Sequence, residues 1–207
     1  MKIFVAGCGS GREALRIHKE LGVDVTGVDI APRWDWLDSS GIDTSRFRLI
    51  EGSILDLQFP DQSFDMVFYH HVIEHVSNPA GSVLELSRIL IPGGSLYVGT
   101  PNRHRMIGYL GSEASLSDKL RWNLADYKAR LRMRFRNEFG AHAGFTEKEL
   151  REMLRPSFTD VKSLTADYLN FKYATRLPPS VLKSICTPPL LSVVPPAIYL
   201  MASNARR

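Results

Sequence analysis

Apolar residues along this chain fall into short solid runs, separated by stretches in which they recur every three or four positions. The first run, Lys2 to Ala6, predicts a strand covered on both faces. Glu13 to Leu21 carries the helical period and stops at Gly22, a residue suited to closing a helix. Further strands are predicted at Val23–Val28, Phe47–Ile50 and Phe64–Tyr69. Asn78 followed by Pro79 reads as a helix start, and that helix runs to about Leu90 before Pro92-Gly93-Gly94. Ser95 to Thr100 is a fifth strand, Phe158 to Thr165 a sixth and Ala197 to Ser203 a last. Between the last three, Thr146 and Glu149 make a capping box for another helix.

This alternation predicts a single α/β domain over residues 1–207: a Rossmann-like sheet of seven mostly parallel strands with helices on both faces. Right-handed crossovers place ligands beyond the carboxyl ends of the strands, so the turns that follow strands are where chemistry is expected. Two segments break the rhythm. Residues 103–140 form an insert after the fifth strand, where Leu116, Leu120, Leu124, Tyr127, Leu131 and Phe135 trace an amphipathic helix. Its apolar stripe is expected on the core or across a homodimer interface, with the arginines in water. Residues 178–196 hold six prolines and read as an irregular excursion before the last strand.

Charge sharpens one part of this picture. The whole chain carries a net +4, yet between Arg103 and Arg136 nine Lys/Arg face three Asp/Glu. The local excess of six exceeds that of the whole chain, so the insert alone carries the basic character. It offers a contact for an anionic glycan, lipid headgroups or RNA. No apolar run is long enough to span a bilayer, and two cysteines, Cys8 and Cys186, make no disulfide framework. The residues after Met1 read as a strand, not a signal peptide, so a cytoplasmic location is expected.

The turn after the first strand reads Gly7-Cys8-Gly9-Ser10-Gly11-Arg12. Dinucleotide binders need a third glycine one place later, where this chain has Arg12. The spacing therefore favours a ligand without a pyrophosphate and disfavours a nicotinamide oxidoreductase. Asp29 ends the second strand, where a carboxylate can accept both ribose hydroxyls of an adenosine.

Together with Glu51–Asp65, Val72-Ile73-Glu74-His75-Val76, Leu90-Ile91-Pro92-Gly93-Gly94 and Thr100-Pro101-Asn102-Arg103, these residues resemble the class I S-adenosylmethionine-dependent methyltransferases over the first half of the chain. The resemblance implies that Gly7, Gly9 and Gly11 pass under the methionine part of the cofactor. It implies that Asp29 holds the ribose, that Ile30 lies against the adenine, that Ser53 and Ile54 flank it, and that His70 lies near the sulfonium. Two positions depart from the family pattern: Val5 stands where many members have an acid, and Ser53 where many have Asp.

Three of the six histidines follow the fourth strand, in Tyr69-His70-His71-Val72-Ile73-Glu74-His75. Three readings stand side by side. The residues pack locally; or His71 is a general base for a hydroxyl acceptor; or His71, Glu74 and His75 hold Mg²⁺, Mn²⁺ or Zn²⁺, sharing a face if the segment is helical. The metal reading follows from relatives of the quinone-pathway and small-RNA 2′-O-methyltransferase type, which carry Glu-x-x-Glu-His here. His142, in the segment expected to cover the substrate, is the other base candidate.

The Asp/Asn-Pro-Pro-Tyr/Phe motif of many amino-group methyltransferases is absent after the fourth strand. A hydroxyl on a small molecule, sugar or glycan is the expected acceptor. RNA is the alternative acceptor, and a non-catalytic cofactor-binding module the alternative class.

Overall fold

Ile3, Phe4, Val5 and Ala6 are all buried, as a strand in the middle of a two-faced sheet requires. In the computed structural model, which describes residues 1–37, 42–109, 114–139 and 142–204, this strand is β1 (Lys2–Ala6). It pairs in parallel with β2 (Asp24–Asp29) on one side and β4 (Phe64–His70) on the other, and β2 pairs in parallel with β3 (Phe47–Glu51). The full sheet has seven strands in the order β3-β2-β1-β4-β5-β7-β6, with β5 at Leu90–Pro101, β6 at Asp160–Ser163 and β7 at Ala197–Ser203. The crossover between β3 and β4 puts the switch point of the sheet at the carboxyl ends of β1 and β4. The glycine turn and the histidine cluster follow those two strands.

By contact density the chain divides into two compact units. The first comprises residues 1–98, 153–162 and 201–207, and the second residues 99–152 and 163–200. In the first unit, α1 (Arg12–Leu21) lies between left-handed Gly11 and Gly22, and the Gly22 amide donates to the His18 carbonyl at 2.9 Å. Asn78 caps α2 (Pro79–Arg88) by accepting from the Gly81 amide at 3.0 Å. One side of the sheet packs Ile3, Val5, Val25 and Phe47 against Ala14 of α1. Elsewhere in this unit Phe4, Phe59 and Phe64 meet with ring centroids 5.2–5.6 Å apart.

Several boundaries differ from the sequence expectation. The α2 helix ends at Arg88, and β5 starts at Leu90 and runs through Pro92-Gly93-Gly94 without a break. Arg88 explains the stop: its guanidinium donates to Glu85, Asp61 and the carbonyls of Leu57 and Phe59, which ties the helix end to the preceding loop. In the second unit, the capping box forms at the start of α4 (Glu147–Leu154), where Glu149 accepts from the Thr146 amide at 2.7 Å. An unanticipated helix, α5 (Thr165–Tyr173), follows a shorter β6. The proline-rich stretch is ordered into α6 (Pro179–Ile185) and α7 (Leu190–Val193), because its prolines stand at helix starts, where a missing amide costs nothing.

The insert forms α3 (Leu116–Leu131), capped by Ser115. Residues 110–113 and 140 of the insert lie outside the described residues. No residue of α3 is buried. The expectation that its apolar stripe meets a core fails along the helix, where Leu116, Leu120, Leu124, Tyr127 and Leu131 are all exposed; Phe135, the last position of that stripe, is buried but lies beyond the helix end. Among the described residues no helix is long and apolar enough to cross a membrane.

Candidate active site

The turn after β1 bends through three glycines with positive φ, at Gly7, Gly9 and Gly11. Each accommodates something different. A Cβ on Gly7 would stand 2.5 Å from the Val72 methyls, and one on Gly11 2.4 Å from Leu49. Those two glycines let the loop lie flat on its own core. At Gly9 the nearest atom to such a Cβ is an Arg33 nitrogen 3.9 Å away. The backbone is bare there, as a cradle for a ligand requires.

Asp29, at the end of β2, fixes this loop from below. Its Oδ2 accepts the Gly9 amide at 2.6 Å and its Oδ1 accepts the Ala31 amide at 2.9 Å. Each carboxylate oxygen keeps a second lone pair for a hydroxyl donor. Ile30, the next residue, is 75% exposed, an apolar side chain held in water at the strand edge. Ile54 is buried, and the Ser53 hydroxyl accepts the Leu55 amide at 3.1 Å. The set therefore fits an adenosine-bearing ligand: a bare backbone, a carboxylate with capacity left and an exposed aliphatic face.

Sequence reasoning missed two residues of this cradle. The Trp34 and Trp36 indole N–H groups donate to the Gly9 and Ser10 carbonyls at 2.9 and 2.8 Å. The Arg12 guanidinium lies 4.5 Å from the Trp36 ring centre. The loop's amides and carbonyls are thus both engaged, which leaves it little freedom to move. Two tryptophans within three residues of each other just past a strand end were the available signal. Cys8, inside the loop, is buried, and burial together with the Asp29 charge pushes its thiol up to about 12. Both effects work against forming a thiolate at this position.

The histidine cluster is assembled differently from expectation. Only Ile73–His75 is helical, as a single 3₁₀ turn, and His71 stands outside it with φ +53°. The helical spacing that would align His71 with His75 is therefore lost. His71 Nδ1 lies 3.5 Å from Glu74 Oε1, while His75 faces solvent. Among the described residues no three His, Cys, Asp or Glu side chains are placed to hold a metal ion. His71, Glu74 and His75 are therefore not brought together as a three-ligand group, and nothing in this arrangement supports Mg²⁺, Mn²⁺ or Zn²⁺ there. His70 instead stands 3.5 Å from Glu13 and packs on His71, Phe68 and Tyr97.

Glu74 is the buried charge of this cluster, with its side chain 1% exposed. Burial pushes its carboxyl up, but the His71 imidazole, its own backbone bond and the nearby His75 outweigh that and hold it below the usual carboxylate range. The ionised form therefore adds stability that is complete above the ordinary glutamate value of about 4.3 and is lost as pH falls through the lower folded value. Replacing Glu74 by Gln should lower the thermal midpoint near neutral pH, and the gap from wild type should close on acidification. A gap that stays constant down to about pH 3 would show that the charge is not what stabilises this turn.

His142 belongs to the second unit, in the segment leading to Phe145. Its side chain is exposed, and its carbonyl accepts the Arg105 guanidinium at 2.9 Å. Arg105 is itself buried and paired with Asp126 at 2.8 Å. His71 and His142 are each placed at a surface, in separate units.

The strand order, the switch point and the glycine–aspartate cradle define a Rossmann-like domain for an adenosine-bearing cofactor. Residues 4–98 match the family described as "Methyltransferase domain". Over 189 residues the chain is 27% identical to a ubiquinone biosynthesis O-methyltransferase from Thiobacillus denitrificans, covering 84% of this chain and 78% of that protein. It is 31% identical over 99 residues to a sterol 24-C-methyltransferase from Gibberella zeae, covering 45% of this chain but only 26% of that enzyme's length. A Haemonchus contortus phosphoethanolamine N-methyltransferase 2, solved with S-adenosyl-L-methionine, shares the fold at a TM-score of 0.61 and 17% identity, covering 99% of this chain and 49% of that one. Residues 4–98 are thus similar to the methyltransferase domains of S-adenosylmethionine-dependent enzymes, and the chain shares their fold.

Proposed function

We propose that the chain methylates a hydroxyl group on a small molecule, sugar or glycan, with S-adenosylmethionine as donor. The observation that carries the donor is the cradle: Asp29 with acceptor capacity to spare, directly beneath the bare backbone of Gly9. The likeness to the Thiobacillus O-methyltransferase, which runs through most of both chains, supports an oxygen acceptor. A carbon acceptor is the second reading, favoured by the sterol 24-C-methyltransferase.

The cofactor supplies an electrophilic methyl group on a sulfonium. In the step, an acceptor oxygen lone pair forms the new O–CH₃ bond as the S–CH₃ bond breaks, leaving S-adenosylhomocysteine. The acceptor proton leaves to a base. His142 is the residue we assign to that task, with His71 as its competitor, since imidazole accepts protons near neutral pH. Gly7, Gly9 and Gly11 would carry the methionine portion, Asp29 would hold the ribose, Ile30, Ser53 and Ile54 would take the adenine, and His70 would lie on the sulfonium side.

Saturating S-adenosylhomocysteine should raise the thermal midpoint by about 5–10 °C, the shift for roughly 2.7 kcal/mol of linkage in a chain of this size. NAD should leave it unchanged; the opposite pattern would overturn the donor. Labelled-methyl transfer to phenols, sugars, sterols and RNA then tests the acceptor. In the same assay His142→Ala should remove turnover by about two orders of magnitude while the thermal shift persists. Undiminished turnover would pass the role to His71, and label appearing only on carbon or RNA would overturn the hydroxyl acceptor.

A further inference from the structure

The α3 helix is inside out. Helical geometry places Leu116, Tyr127, Leu120, Leu131 and Leu124 within about 80° of one another around the axis. That stripe faces water: the four leucines are between 55% and 86% exposed. The helix is held to its own unit by its polar side. Asn123 accepts the Gly108 amide at 2.7 Å and donates back to the Gly108 carbonyl at 3.2 Å. Asp126 pairs with Arg105 and Trp122 packs on Tyr109, while Tyr127, within the stripe itself, donates its hydroxyl to the Met106 carbonyl. Arg130 donates to the carbonyls of Arg103 and Arg105 at 2.9 and 3.0 Å. Large apolar patches are rarely left in water without use. Met106, Ile107 and Met133, also exposed, extend the apolar surface of the same segment.

Charge identifies what covers it. Around the helix, Arg121 and Lys128 flank the stripe on one side and Lys119 on the other. Beyond its end, Arg132, Arg134 and Arg136 are exposed. Both acids of the helix are engaged: Asp126 with Arg105 at 2.8 Å and Asp118 with Arg121 at 2.9 Å. Two copies of this face brought together would set like charges against each other. A nucleic acid would match the cations but leave the leucines in water. A surface with anionic groups above an aliphatic layer satisfies both. We propose that the leucine stripe of α3, with Met106, Ile107 and the flanking arginines, docks this chain on an anionic lipid surface, the helix lying in the plane of the interface.

The inference is independent of the methyl acceptor and rests on α3 and the exposed residues that flank it. Its test is flotation of the full chain with phosphatidylcholine vesicles, with and without phosphatidylglycerol, and with S-adenosylhomocysteine present. The wild type should float only with the anionic vesicles. Leu120→Ser, Leu124→Ser and Leu131→Ser together should cut the bound fraction by about tenfold or more. Those side chains are already in water, so the thermal midpoint and its shift by S-adenosylhomocysteine should not change. Arg121→Gln, Lys128→Gln and Arg132→Gln should each weaken binding by about fivefold. No flotation of the wild type overturns the proposal. So does a dimer in sedimentation velocity that the serine variants dissociate, or RNA binding that they leave untouched in a protein that ignores vesicles.

Discussion

Replacing Asp29 by alanine should weaken S-adenosylhomocysteine binding by at least two orders of magnitude, since each hydrogen bond to a charged acceptor contributes about 1.5–3 kcal/mol and tenfold in affinity is about 1.4 kcal/mol. On the proposed reading the carboxylate has two jobs. It accepts the ribose hydroxyls, and it holds the Gly9 and Ala31 amides at 2.6 and 2.9 Å. Alanine removes both, so the loop loses its acceptor even before the ligand arrives. Asp29→Asn separates the jobs. Its carboxamide oxygen can still accept one amide, but the charge is gone, and an intermediate loss of about tenfold is expected. Isothermal titration of the two variants checks this directly. The fold should survive, because Asp29 sits at the surface end of β2 and both amides can turn to water. If Asp29→Ala bound S-adenosylhomocysteine as wild type does, the cradle would not be the cofactor site.

The first half of the chain was legible because its signals are local. A solid apolar run such as Ile3–Ala6 can only be a strand with both faces covered, and the glycine turn with Asp29 marks the switch point. The insert was only half legible. Periodicity shows that a helix has two faces, but not which one turns inward. On α3 the inward face is held by Asp126, Asn123 and Arg130, residues that a pattern of hydrophobicity assigns to water. The histidine cluster failed for a related reason. Spacing arguments assume a continuous helix, and His71 leaves helical geometry at φ +53° just before a single turn begins. The prolines of 178–196 misled in the other direction, because a proline that ends one helix also starts the next.

The largest stability loss should come from Gly144→Ala, two residues from His142. Gly144 has φ +70°, and a Cβ there would stand 1.8 Å from the Pro101 carbonyl oxygen and 2.5 Å from its carbon. Those are backbone atoms, so no rotamer change relieves the contact. Separation would break the Phe145 amide bond to the Pro101 carbonyl (3.1 Å) and the Arg103 amide bond to the Phe145 carbonyl (3.0 Å). It would also strain the Asn137 side chain, which accepts the Gly144 amide at 2.9 Å, and the Arg103 guanidinium on the Gly144 carbonyl at 2.8 Å. Left-handed backbone alone costs a non-glycine residue about 1–2 kcal/mol. With the clash and the lost bridge the total should exceed about 4 kcal/mol, which is roughly 8–16 °C in thermal midpoint for a chain of this size. Gly22→Ala isolates the two causes. Gly22 has φ +62° with no atom within 4 Å of the added carbon, so it carries the backbone cost without the clash. Its midpoint should fall by only about 2–8 °C, the equivalent of that backbone cost. Thermal denaturation of both variants under one buffer makes the comparison. Equal losses would mean that the segment before Phe145 yields freely, and that the close seat of Gly144 on Pro101 is not what fixes the path of the chain beside His142.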